Sequence, residues 1–158
     1  MSNPNAVPSG KTPAVVDTRL GGKAAKEFKF NVNGVDRVKV IVPTGPKPVA
    51  KALLGTTPKG IAGFTPIRQA INLGFVNADG SPVTGFTQAF KLRIRYTKED
   101  LAAAGGSAQL KLAYYTGGKW TVLACTPEPE KPGDANSEGY LLVSKSNWPA
   151  DPPVALGN

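Results

Sequence analysis

Three cations at alternate positions, Lys91, Arg93 and Arg95, are the residues whose type and spacing most plainly could do chemistry in this chain. On an extended backbone alternate side chains share a face, so the three would line up as donors for phosphate, sulfate or carboxylate groups. Between them stand Phe90, Leu92, Ile94 and Tyr96, an equally regular apolar row. The stretch therefore reads as a strand with a buried face and a wet face. Lysine and arginine on a wet face also discourage edge-to-edge association. The cations are a candidate anion- or partner-binding face, set against the plainer reading of a solvated one.

Aromatic residues are the second group. Tyr114, Tyr115, Trp120, Tyr140 and Trp148 could stack on the apolar faces of sugar rings. Alternation makes Tyr114 a core residue and leaves Tyr115 as the exposed aromatic contact, while Trp120 is expected in the core. Nucleic acid is disfavoured as a partner, because it calls for aromatics interleaved with cations on one face. Here the aromatics of the 90–96 strand lie opposite its cations.

Catalytic and metal chemistry find little to work with. Histidine is absent, which removes Ser-His-Asp and Cys-His catalysis and the common zinc sites. The single cysteine, Cys125 in "TVLACTP", reads as a small buried hydrophobe, and no intramolecular disulfide can form. Asp79 stands in a turn, and Glu128, Glu130 and Asp134 share a loop without EF-hand spacing. No catalytic residue, metal ligand or cofactor is assigned, and the chain is read as a non-enzyme.

The balance of composition favours an all-β fold. Of 158 residues, 18 are Gly and 15 are Pro, well above the usual ~12% for the pair, as many turns between short strands require. The formal charge is +8 but uneven. Residues 1–60 carry ten Lys/Arg against three acids, and residues 126–158 carry five acids against two lysines. A basic front half could attract an acidic protein face or surface polymer. No apolar run approaches the ~20 residues of a membrane span. The opening "MSNPNAVPSGKTP" lacks the apolar segment of a signal peptide. That fits a cytoplasmic or assembly-associated chain, or a mature fragment of an extracellular or cell-surface protein.

These residues need elements to position them. Residues 1–26 are expected to form a flexible arm in which only "AVVDTRL" (14–20) could be a strand. Phe28, Phe30 and Val32 alternate before Asn33-Gly34, and Val38, Val40 and Val42 alternate up to Pro43. "PVAKALLG" fits a helical turn or a strand equally. A strand over about 69–76, the turn Asp79-Gly80 and the strand ending at Tyr96 follow. Thr97 should cap a single helical turn through Asp100, stopped at Gly105-Gly106. "AQLKLAYYTGGKWTVLA" reads as a hairpin, with Leu110, Leu112 and Tyr114 on one face and Trp120, Val122 and Ala124 on the matching one. Residues 126–138 read as an acidic Pro-rich loop, "GYLLVSKSNW" as the last strand, and 149–158 as a tail.

Four segments carry a resemblance: "VIVPTG" (40–45), "FVNADGSPVTGF" (75–86), "FKLRIRYTKEDL" (90–101) and "LKLAYYTGGKW" (110–120). In type and order they resemble the ZU-type β-sandwich module of bacterial surface and secreted proteins, and of ankyrins and netrin receptors. The resemblance covers about residues 27–148. It implies a non-catalytic scaffold, spacer or docking surface, and brings no catalytic residues.

The expectation is thus a single antiparallel β-sandwich, Ig-like or ZU-like, of seven or eight short strands and at most one or two single-turn helices. Its domain would span 27–148, between the arm and the tail. The expected function is structural or interactive, as a module of a bacterial surface or secreted protein working through its faces and loops. A subunit of a larger assembly (coat, fibre or decoration protein) using its arm stands second, and a carbohydrate-binding module third. The chain would be a monomer or assemble through the arm.

Overall fold

The computed structural model describes residues 14–20, 23–32, 35–42, 49–77 and 79–158. In chain order the elements are β1 (Ala14–Leu20), β2 (Lys23–Val32), β3 (Val35–Val42), β4 (Val49–Leu54), β5 (Ile71–Val76) and β6 (Gly85–Tyr96). Helix α1 (Lys98–Ala104) and a 3₁₀ turn at Ser107–Gln109 follow. Then come β7 (Lys111–Thr116), β8 (Lys119–Val122), β9 (Thr126–Pro129), β10 (Gly139–Asn147) and β11 (Pro153–Gly157). Two antiparallel sheets result, ordered β1-β2-β3-β6-β10-β9 and β4-β5-β11-β7-β8. This is the expected all-β sandwich. Among the described residues, no helix is long and apolar enough to cross a membrane.

Strict alternation builds the core. Phe28, Phe30 and Val32 of β2, Val38, Val40 and Val42 of β3, and Phe90, Leu92, Ile94 and Tyr96 of β6 all bury their side chains. They meet Leu73 and Phe75 of β5, Leu112 of β7 and Val154 and Leu156 of β11. Burying apolar surface between two sheets is the main force holding such a layer pair together. One end is closed by aromatics. Trp148, 1% exposed, packs edge-on to Phe90 and Tyr114, and its indole N–H donates to the Leu73 carbonyl across the sheets at 2.8 Å.

The structure departs from the sequence expectation in four places. First, residues 153–157 are not a tail. Strand β11 lies between β5 and β7, with Val154, Ala155, Leu156 and Gly157 buried. Such a short apolar run after "DPP" carries no local sign that a gap awaits it mid-sheet; only long-range pairing supplies one. Pro153 is tolerated because it opens the strand.

Second, the strands number eleven among the described residues. Strand β4 resolves the open reading of "PVAKALLG", β1 occupies the one strand foreseen in the arm, and β2 begins at Lys23. Strand β9 runs through the acidic stretch, where its prolines suit a sheet edge. The Asn33-Gly34 turn, the stop at Pro43 and residues 1–13 of the arm lie outside the described residues.

Third, Trp120 is buried but not between the sheets. The two-residue turn Gly117-Gly118, with φ of 59° and 82°, pairs Tyr115 with Trp120 and Ala113 with Val122. That register turns Trp120 to the outer side of its sheet, into a small cluster with Phe64, Ala70, Ala113 and Ala155. Leu123 takes the inner position expected of its neighbours, and Val122 is 47% exposed. Fourth, Tyr115 is half-buried edge-on against Trp120, at 5.3 Å between ring centres, where sequence alternation expected it exposed.

The position of β11 yields a first prediction. A chain ending at Pro152 should lose cooperative thermal unfolding followed by circular dichroism, because β5 and β7 lose the strand between them. A transition like that of the full chain would contradict the central placement of β11.

Candidate functional site

The cation row lies where alternation put it, on the outer face of the six-stranded sheet, and acids from further along the chain meet it there. Arg93 Nε donates to Glu128 Oε1 at 2.6 Å. Arg95 donates to Glu130 at 2.6 Å and to Glu138 at 3.2 Å. Strand β9 delivers Glu128 through its pairing with β10, which places Glu128 opposite Tyr140 and Tyr140 opposite Arg95. Burial works to lower the Arg95 pKa, but the Glu130 hydrogen bond and the surrounding carboxylates outweigh it and hold the guanidinium above its usual value. Lys91 is exposed, and among the described residues no carboxylate pairs with it.

Four more residues join that face. Cross-strand register aligns Lys29, Lys39 and Arg93, like charges directly opposite one another, which costs stability unless countered. Glu27 meets Lys29 at 3.4 Å, and the Tyr140 ring receives Lys39 at 4.8 Å and Arg95 at 5.3 Å from its centre. An aromatic therefore does share the cations' face, contrary to the sequence argument made against nucleic acid. It comes from β10, a strand that alternation within 90–96 could not see.

The other sequence candidates stay apart. Glu128 and Glu130 face the arginines, and Asp134 accepts from the Asn136 backbone. Among the described residues, no three His, Cys, Asp or Glu side chains converge as a metal site would require. Asp79 accepts from the Ser81 hydroxyl and backbone N–H, which holds its carboxyl below the usual range. Cys125 is half-buried against the core, and burial raises its thiol pKa.

A second constellation, which the sequence reading missed, sits at the sandwich end away from Trp148. Between Phe30↔Val38 and Asn31↔Asp36 the β2–β3 register slips by one, so Arg37 is an extra, bulged residue. It is 6% exposed and lines the space between the sheets. Arg37 Nη1 donates to the Arg95 carbonyl at 2.8 Å and to Asp100 Oδ2 at 3.3 Å. From the segment before β5, Arg68 Nε donates to Asp100 Oδ1 at 2.7 Å.

Asp100 is placed by the foreseen cap. The Thr97 hydroxyl accepts from the Asp100 backbone, and the Asp100 carboxylate accepts from the Thr97 N–H at 2.8 Å. Gly105, at φ 89°, ends the helix. Burial first, then the neighbouring Arg68 charge, push the Arg37 pKa below its usual value against the pull of Asp100. The signal for the bulge was present in the sequence: Val35 and Val38 are an odd number of residues apart, which breaks the alternation.

Beside this cluster opens a cavity of about 450 Å³, within the range of small-ligand sites. Val32, Leu54, Ile67, Ile71 and Ala103 form its apolar wall, and Arg37, Arg68, Gln69, Glu99 and Asp100 its polar one. Comparison with protein-family models, curated proteins and solved structures returned no match.

The two clusters differ in depth, and a stability series separates them. Asp100→Ala should cost about 3–5 kcal/mol in urea unfolding, because it leaves a buried guanidinium without its carboxylate. A double-mutant cycle on Arg93 and Glu128, both partly solvated, should give a coupling of about 0.2–1 kcal/mol. The reverse order would contradict the assignment of the buried cluster as the stronger one.

Proposed function

We propose that the chain is a non-catalytic interaction module of the ZU-like kind, belonging to a bacterial surface or secreted protein and binding through its sandwich faces and loops. The supporting observation is that Glu128, Glu130 and Glu138 hold Arg93 and Arg95 across strands. Charges used this way fix strand register, as a scaffold needs, and leave Lys39 and Lys91 as the surplus cations facing a partner. An acidic protein surface suits such a sparse pattern better than a dense polyanion, which needs many free cations. The resemblance of the 75–86, 90–101 and 110–120 segments to the ZU-type module supports the same setting.

One observation favours a second reading, the assembly subunit. Among the described residues, strand β1 is the end strand of its sheet, and an end strand offers unpaired backbone groups to a strand from another chain. The carbohydrate reading loses ground, since Tyr115 lies half-buried against Trp120.

Light scattering of the full chain beside a version lacking residues 1–22 separates the two. The module reading expects a monomer in both. An oligomer that dissociates on loss of β1 would overturn it in favour of the assembly subunit.

A further inference from the structure

The two ends of the sandwich are unlike. At one end Trp148, Phe75, Phe86 and Phe90 interlock with ring centres 4.8–5.7 Å apart. At the other, Leu54 and Ile67 pack only partly buried against the core, and the cavity of about 450 Å³ stands open. An apolar wall left to water costs free energy in proportion to its area, so this end favours an apolar occupant.

The floor of the cavity adds a charge preference. Arg37 and Arg68 share one buried carboxylate, Asp100. That carboxylate already accepts from both guanidiniums, the Thr97 N–H and the Thr97 hydroxyl, which fills its capacity of about four bonds. Each guanidinium carries five N–H donors. Among the described residues, the Arg37 bonds all leave from Nη1 and the Arg68 bonds from Nε and Nη2. Donors therefore remain beside the cavity. Glu99, at the exposed rim, disfavours a second negative charge near the mouth.

We infer that this cavity is a binding site for a small apolar monocarboxylate. The carboxylate head bonds to the spare N–H donors of Arg68 and Arg37, and the apolar body lies against Leu54, Ile67 and Ile71. Arg68 is the adaptable member, 36% exposed at its side chain against 7% for Arg37, so it can swing toward a ligand while Arg37 stays on Asp100.

The probe is 4-phenylbutyrate, titrated into the full chain and followed by backbone amide NMR shifts, beside the neutral 4-phenylbutanol. The expected result is saturable shifts confined to residues 67–71 and 97–103, with the alcohol at least about tenfold weaker, a factor that corresponds to ~1.4 kcal/mol. Arg68→Ala should weaken the acid by about tenfold and leave the alcohol unchanged. Ala103→Trp, a change on the exposed side of α1 that fills the mouth, should abolish both without disturbing the remaining spectrum. Equal binding of acid and alcohol, shifts elsewhere, or no shift up to ~10 mM acid would overturn the assignment.

Discussion

The carboxylate of Asp100 is the constraint on which this end of the molecule depends. It is 2% exposed and binds groups from three parts of the chain: Arg37 on the β3 bulge, Arg68 ahead of β5 and Thr97 at the start of α1. One of these belongs to the six-stranded sheet, and one leads into the five-stranded sheet. An ion placed this deep is tolerated only when its hydrogen-bonding capacity is filled. The bulge, the cap and the approach of the 67–71 segment must therefore all be correct together. Each is a weak local preference. Their shared dependence on one buried charge makes the arrangement specific.

The outer face of the six-stranded sheet follows a softer logic. Arg93 and Arg95 meet their acids partly in solvent, where an ion pair stabilises little. The pairs matter more for what they prevent. Lys29, Lys39 and Arg93 are three like charges in direct cross-strand register, and Glu128 on Arg93, with Glu27 on Lys29, offsets the repulsion between them. The acidic back of the chain thereby tempers the basic front, and the net charge of +8 overstates what this face presents. Tyr140, between Lys39 and Arg95, belongs to the same device.

Much of the fold was legible from periodicity. The alternation in 28–32, 38–42 and 90–96 chose the inward residues correctly, because one buried face forces period two. The cap at Thr97 and the stop at Gly105 were readable because they are satisfied within a few residues. Legibility failed where the answer lay at a distance. The inner face of the 111–122 hairpin turned on a one-residue register choice at Gly117-Gly118, and the wrong choice exchanged Trp120 with Leu123. Arg37 drew no reading from the sequence: the odd spacing of Val35 and Val38 marks a break in the alternation, but only the slip against β2 shows that Arg37 is the extra residue and that it turns inward.

By itself the sequence determined the fold class, the buried row and the solvent row of the longest strand, and the lack of histidine chemistry. These follow from residue type and period, which need no partner to be defined. Tertiary structure alone decided that Pro153–Gly157 fills the middle of a sheet, and that Arg93 and Arg95 are met by acids 35 to 43 residues away. It alone brought Arg37, Arg68 and Asp100 together across separations of 32 and 63 residues. The reason is physical. Strand pairing and ion pairing are contacts between segments, and their free energy depends on which segments the closed core brings within reach, a property that no window of the chain contains.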